Sequence, residues 1–564
     1  MAALGLIVSI TLAGCTTGHY RKSADKESYS IIQEKQKAAL GHTNAFNIDT
    51  PYSARKPEEI KPAEILTQRS GGVKRKVNLS DVLKLAVASN RSYQTRKETV
   101  YLTALQLTRD RDDFKPHLFG GTSASGTRGS GHNRYGSLNS DASVANSLKG
   151  GGRIGIAVAN DILHYFTRTT GNPQDTAASQ ISVNLFQPLL RGAGASIAAE
   201  NLTQSERNVV YDVRSFTQYQ LQFSYDVISA YFRLLQQKDT VRNEYNNYLN
   251  LVKARERAEA LSRDRLPAFQ VDQASQDELS AKIRYISTVA SYQAAVDNLK
   301  LLLSLPLAED LSLDDNDLKD LDRIGLPVLE MNDEQAFSYA IEKRLDLLNE
   351  IDRFEDAKRR IHVAADGLKA DLNLVASGSL VSNGPEDYAH FDKNSYQASA
   401  GVQLNLPLWR LRERNTFRSA QIAFERQIRS LAQTFDDTRN KLRQDLRNLQ
   451  QARQKYDIQK LAVQLADKRV ESVELLILAG RAQVRDQLDA ASSQVQARNA
   501  LTQALVDYHL ARLNLLVDLG VLNTSPEKFW LAEQKPAGLP DAKTGASVKT
   551  EADSVVPPDK LFAN

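Results

Sequence analysis

Apolar residues recur at every third or fourth position through the stretch from Asn415 to Leu519. Leu431, Phe435, Leu442, Leu446 and Leu449 keep that spacing, and Val470, Val473 and Ile477 continue it. No proline stands between Pro407 and Pro526. The pattern predicts a helix of roughly 65 residues, about 100 Å long at ~1.5 Å per residue. A tight break follows at Ala479-Gly480-Arg481, and then a return helix, the pair spanning 411–520. That length lies outside the globular range and points to a coiled coil or a helical barrel.

The same hairpin is written earlier in the chain. Val209, Val213, Phe216, Phe223, Val227, Ala230, Leu234 and Val241 recur at steps of three, four or seven, a seam of period near 3.5. It breaks between Leu261 and Pro267 and returns from Ala268 to about Leu305, so this hairpin spans 194–305. Sliding the chain by 216 positions lays Arg265 on Arg481, Ala274 on Ala490, Tyr292 on Tyr508 and Leu303 on Leu519. A slide of 219 aligns Pro188 and Arg191 with Pro407 and Arg410, and one of 254 aligns Ala86 and Ser125 with Ala340 and Ser379. The chain is therefore a tandem duplication, with a first repeat at 78–305 and a second at 331–522. The change from 254 to 219 places a 35-residue excess in the first copy, between Ser125 and Val183.

Between the helical stretches the period drops to two. Within 117–188, the segments Leu118 to Ser125, Arg153 to Asn160 and Ile181 to Gln187 read as strands; within 371–407, Asp371 to Leu380 and Tyr396 to Leu406 do. They approach the ~9–11 residues that a tilted strand needs to cross a bilayer. A soluble hairpin fits the same alternation. The segment Ala142 to Asn160 has no counterpart in the second copy. It reads as an extra hairpin or a surface loop, and the first copy must make an even number of crossings, two or four.

The ends and joints are less regular. Residues 1–14 read as a signal peptide ending in Leu12-Ala13-Gly14, and Cys15 as a lipidated first residue, despite the lack of a basic residue ahead of the apolar run. Residues 15–77 read as an extended polar leader, 306–330 as an acidic linker and 523–564 as a proline-bearing tail. Cys15 is the single cysteine of the 564 residues, which excludes an intramolecular disulfide and a cysteine metal cluster. The charge is nearly balanced, +4 from 72 basic and 68 acidic residues, and gives no reason to expect nucleic acid. The eight histidines are scattered, no metal is expected, and no nucleophile, Walker or metalloprotease motif occurs, so the chain reads as neither an enzyme nor a cofactor carrier. No apolar run after Cys15 approaches 18 residues, so a membrane span would have to be a closed β-barrel.

Each copy thus reads helix, strand, strand, very long helix, turn, return helix, behind a cysteine at the end of a leader. With Gln187 to Gly194 (QPLLRGAG), Leu406 to Arg410 (LPLWR) and the closing Tyr508, Ala511, Asn514, Leu515 and Gly520, this order resembles the TolC family of outer-membrane efflux proteins, in its lipoprotein subgroup. The resemblance covers about Leu79 to Leu522. It implies a mixed α and β membrane protein: a homotrimer whose long coiled-coil hairpins form an α-barrel across the periplasm. Four strands per chain, twelve in all, would close a transmembrane β-barrel. It implies the exit duct of a tripartite efflux system, lipid-anchored in the outer membrane and opened by a periplasmic adaptor and an inner-membrane pump. A duct for type I protein secretion, or a periplasmic scaffold without a pore, remains the alternative. By the same resemblance Asp486 and Asp489 are a periplasmic gate. Arg263, Asp264, Arg265, Leu266, Gly480, Arg481 and Gln483 are the tips that meet the adaptor. Arg485 and Pro267 depart from the residues usual at their positions.

Overall fold

The computed structural model describes residues 17–128, 134–167, 174–263, 267–329, 331–384, 387, 389–479 and 481–522. Helices α1 (Thr17–Leu40) and α2 (Pro62–Ser70) precede strand β1 (Lys74–Val77). The first copy continues with α3 (Leu79–Ser89), α4 (Arg91–Asp112), and strands β2 (His117–Arg128), β3 (Arg134–Ser147), β4 (Arg153–Thr167) and β5 (Thr176–Pro188). Its hairpin is the short α5 (Ala195–Ala198), then α6 (Glu200–Ser262) and α7 (Ala268–Leu302). Strand β6 (Asp310–Leu313) and α8 (Asn316–Ile324) lead to the second copy: α9 (Asp333–Lys343), α10 (Leu345–Asp366), β7 (Asp371–Ser382), β8 (Phe391–Asn405), α11 (Leu411–Leu478) and α12 (Val484–Asp518).

The duplication is visible element by element. Helices α3 and α4 are 11 and 22 residues long, and so are α9 and α10, each starting 254 positions later. Asn78 and Asn332 cap α3 and α9, accepting from the backbone N–H of Asp81 at 2.9 Å and of Gln335 at 2.8 Å. Val82 and Ala86 are fully buried, and so are Ala336 and Ala340, their equivalents. The return helices α7 and α12 are both 35 residues, offset by 216. The outgoing helices, 63 residues in α6 and 68 in α11, run about 95 and 100 Å at ~1.5 Å per residue. The apolar seam explains their packing: α6 lies between α7 and α12, and α12 lies on α11. The helix order is α7-α6-α12-α11, with α7 and α11 as flanks.

Six strands form one antiparallel sheet in the order β2-β3-β4-β5-β7-β8. The first copy contributes four of these, so the four strands per chain expected from the resemblance become six. The 35-residue excess is the hairpin β3–β4. Its first strand escapes the sequence pattern because Ser, Asn and Ala make up most of it, with only Leu138 and Val144 strongly apolar. The inner turn of this hairpin packs where the first copy begins its long helix. The N–H of Gly194 donates to the carbonyl of Gly150 at 3.1 Å, and a Cβ on Gly151 would meet the Gly192 carbonyl and Ala198. Gly192 and Gly194 take φ of 77° and 93°, a region that glycine adopts without strain. The long helix is interrupted there: α5 ends and α6 begins only at Glu200. The second copy has no such turn, and α11 starts directly at Leu411.

Two joints differ from their sequence reading. The leader is not extended at its start: α1 is a 24-residue helix packed on α4 and α6. Its buried face is Ser28, Ile31, Ile32 and Gln36, one stripe in an otherwise polar run. Tyr101 donates to Asp25 at 2.7 Å, and Lys35 and Arg111 both pair with Glu206. The acidic linker is also structured. Its β6 pairs in parallel with β1, and Lys74, Arg75 and Lys76 face Asp310, Glu309 and Asp314 at 3.0–3.5 Å. Asp317 accepts from the Leu79 N–H and the Tyr231 hydroxyl. The largest core lies at this waist, where Val82, Leu107, Val213, Ile228, Phe232, Leu299 and Leu513 are buried together.

At the same level, α11 and α12 share a buried acid pair. Asp445 and Asp518 are 6% and 2% exposed. Asn514 donates to both, at 2.9 and 3.3 Å, and Lys441 pairs with Asp518 at 2.7 Å. Arg344 stands 3.7 Å from Asp518. Burial, with the hydrogen bond and charge of Asp518, pushes the Asp445 carboxyl up to about 7. A carboxyl whose folded pKa is raised stabilises the fold below its unfolded value and loses that contribution as pH rises through about 7. The expected result is a Tm that falls by a few degrees between about pH 5 and pH 8. Asp445→Asn should flatten that slope, and an unchanged slope on thermal melts would contradict the assignment.

Candidate functional site

Three surfaces of this body carry chemistry: the sheet faces, the helix flanks and the hairpin tips. On the sheet, the register sorts residues by face. Leu118, Val144, Ile156, Val183, Gly378 and Ala398 form one rung across all six strands. The adjacent rung on the opposite face is Phe119, Ser143, Ala157, Ser182, Ser379 and Gln397. The first face continues with Ile154, Val158, Leu185, Leu374, Val402 and Leu404; the second with Asn139, Asp161, Asn184, Ser377 and Ser399. One face of the sheet is apolar and exposed, with Leu118, Ile156 and Val402 at 79%, 48% and 64%. Such a face in contact with water is unfavourable at about 25 cal/mol per Å². The polar side chains that fall on it satisfy one another: Asn160 donates to Ser140 at 3.4 Å and accepts from Ser179 at 2.5 Å.

The flanks α7 and α11 each expose an apolar stripe. On α7 it includes Leu279, Ile283 and Ile286; on α11, Ile458, Leu461 and Leu465. A ladder of contacts fixes their relative height. Arg284 of α7 lies 3.7 Å from Glu244 of α6, Glu244 accepts from Asn499 of α12 at 3.5 Å, and Arg498 reaches Asp467 of α11 at 2.9 Å. Ile283 and Ile286 therefore stand level with Leu465, on opposite sides of the chain.

At the tips the two hairpins pack through Leu251, Ala254, Ala258, Ala274, Ala281, Val484 and Leu488, and Arg257 of the first hairpin reaches Glu474 of the second at 3.6 Å. The alanines let the helices approach closely. Arg263 ends α6 and Gln483 caps α12, and both are exposed, as is Arg481. Asp264, Arg265, Leu266 and Gly480 lie outside the described residues, as does Cys15. Asp486 and Asp489 are exposed on the first turns of α12. Asp486 takes part in a capping box, accepting from the Gln483 N–H at 2.9 Å. Arg485 lies 3.9 Å from Asp489. The geometry adds an acid that the aligned repeats conceal. Asp277 on α7 lies within reach of the Asp489 charge: burial first, and then that charge, raises the Asp277 carboxyl above its ordinary value. Both hairpins therefore bring carboxylates towards the tips, Asp277 from the first and Asp486 and Asp489 from the second, although the residues aligned with Asp486 and Asp489 are Gln270 and Gln273. Among the described residues no group of three or more His, Cys, Asp or Glu is placed to hold a metal ion, and no helix is long and apolar enough to cross a membrane.

Among solved structures the chain superposes on CusC, with a TM-score of 0.56 at 14% identity over 78% of this chain and 92% of that one. The Campylobacter jejuni outer membrane channel CmeC gives 0.55 at 15% identity, over 81% and 90%. The outer membrane protein VceC from Vibrio cholerae gives 0.56 at 14% identity, over 78% and 96%. The chain has the TolC-type channel fold. No protein-family model matches the chain, and no curated protein matches it in sequence. The TolC-type fold gives the three surfaces a common logic. The apolar sheet face lies at one end, the tips lie about 100 Å away, and the flanks run between them.

Proposed function

We propose that this chain is an outer-membrane channel, the exit duct through which an efflux system passes small molecules out of the periplasm. The observation that carries the reading is the sheet: six antiparallel strands, apolar on one face and polar on the other, joined to helices about 100 Å long. A sheet with one apolar face satisfies its backbone in lipid only if its edges are closed. A single chain leaves β2 and β8 unpaired at the sheet edges and α7 and α11 uncovered at the helix flanks. Copies arranged head to tail cover both at once, with Ile283 and Ile286 of one copy against Leu461 and Leu465 of the next. Three copies place six hairpins in one ring. Cys15, when acylated, adds a lipid anchor to the barrel, and the tips around Arg263, Arg481 and Gln483 are the surface for a periplasmic adaptor coupled to an inner-membrane pump.

At the tips, Asp486, Asp489 and Asp277 repeated around the axis make a ring of carboxylates that favours cations and resists anions. Planar-bilayer recording of the purified trimer tests the reading. Discrete cation-selective conductance is expected, and it should rise several-fold, with weaker cation preference, in Asp486→Ala plus Asp489→Ala. A trimer that conducts nothing in either form would leave a periplasmic scaffold in its place. An unchanged conductance in the double variant would remove the gate and keep the channel.

A further inference from the structure

We infer that three copies of this chain close an 18-stranded barrel, β2 of each copy pairing with β8 of the next, so that the lumen through the membrane is porin-wide. The inference rests on the trimer proposed above and concerns the inserted hairpin β3–β4. This hairpin sits inside the sheet, with β2 on one side and β5 on the other, and every strand is antiparallel to its neighbour. Its side chains follow the same division of faces as the rest. Val144, Ile156 and Val158 lie on the apolar face; Ser143, Ala157 and Asp161 lie on the polar one. A hairpin folded away from the wall would have no use for that division.

The edges are compatible with closure. β2 leaves the helical body and β8 returns to it, so the two run in opposite directions, and they are 12 and 15 residues long. The edge strands of successive copies can therefore pair antiparallel without a break in the alternation. Six strands from each of three chains make 18. Diameter grows roughly linearly with strand number, so this barrel is about 1.5 times as wide as one of twelve strands, and 16–18 strands leave an aqueous channel. On the polar face the middle four side chains of one rung, Ser143, Ala157, Ser182 and Ser379, are short, with Phe119 and Gln397 the larger ones at its ends, and such a rung does not fill a lumen of that width. The membrane segment is then wide enough that the constriction on cargo lies at the helix tips.

Two twelve-stranded arrangements compete: one in which β4, β5, β7 and β8 form the wall and β2–β3 folds outside it, and one in which the inserted β3–β4 folds outside and β2 pairs with β5. Cysteine cross-linking in the assembled protein separates them from the wall of 18. Ser123→Cys with Asn139→Cys, register partners on β2 and β3, is expected to cross-link within one copy, and failure to do so overturns the wall in favour of the second. Ser123→Cys on β2 is paired with a cysteine at Gln397, Ser399 or Gly401 on β8, a scan that covers the unknown register on one face. Ala157→Cys on β4 is paired with the same three positions, and single-cysteine variants serve as controls. A short bismaleimide is expected to produce a dimer and trimer ladder with Ser123→Cys and none with Ala157→Cys. A ladder with Ala157→Cys, or a trimer that cross-links with neither, overturns the 18-strand wall. The mass of each variant in detergent is measured in parallel. If the mass is not that of a trimer, the proposed assembly itself is wrong and the strand count falls with it.

Discussion

Replacing Ile156 by arginine is expected to abolish stable insertion, whereas Ala157→Arg, one residue away, leaves insertion intact and alters conductance. The two side chains point to opposite faces of β4, because successive residues of a strand alternate. Ile156 sits in the rung Val144-Ile156-Val183 on the apolar face. An arginine facing lipid near the midplane of a barrel costs about 2–4 kcal/mol, incurred once per copy in any closed ring. Ala157 lies between Ser143 and Ser182 on the polar face, where water solvates a guanidinium. Folding into lipid vesicles, read by a heat-dependent gel shift and by protease protection, measures the difference. Equal behaviour of the two variants would mean that neither face meets lipid.

The second large effect is expected at the flanks. Leu461→Asp with Leu465→Asp should convert the assembled protein to separate chains that keep their helical circular dichroism. Both leucines are more than 60% exposed in the isolated chain. Full burial of each against a neighbouring copy is worth about 1.5–3 kcal/mol. Placing two carboxylates against Ile283 and Ile286 adds a desolvation penalty, because these two side chains offer them no hydrogen bond. The loss recurs at each interface of a ring. Mass measurement in detergent reads the outcome. Ile283→Asp on the opposite flank should act in the same direction, and an assembly indifferent to both changes would exclude these stripes as the contact.

The long elements were legible because their signals repeat over many residues. The offsets of 254 and 216 read from scattered identities are the offsets between α3 and α9 and between α7 and α12. The excess of 35 residues marked the inserted hairpin, and the alternation from Arg153 to Asn160 marked the first half of β4, but β3 was not read. β3 was invisible because Ser, Asn and Ala make up most of it, and only Leu138 and Val144 on its apolar face are strongly apolar. Helix α1 was missed for a related reason. Two adjacent isoleucines, Ile31 and Ile32, carry its apolar face, and the rest of its stability comes from tertiary contacts such as Tyr101 with Asp25. The acidic linker read as a joint because β6 is only four residues long and finds its partner more than 230 positions away. At the tips, the Asp486 and Asp489 pair was legible by spacing. Asp277 was not, since its nearness to the Asp489 charge depends on which helix α12 leans against, and no local pattern records that.

The interruption at Ala199 has a consequence for symmetry. In the proposed assembly, six hairpins repeating in the same sense around one axis would otherwise form a pseudo-sixfold collar. The glycine turn of the inserted hairpin breaks the long helix in one copy and leaves α11 of the other continuous from Leu411. Around the axis of the proposed assembly, kinked and straight helix starts alternate, and the collar keeps only threefold order. Any dilation that begins at this level has three joints at which to bend, not six.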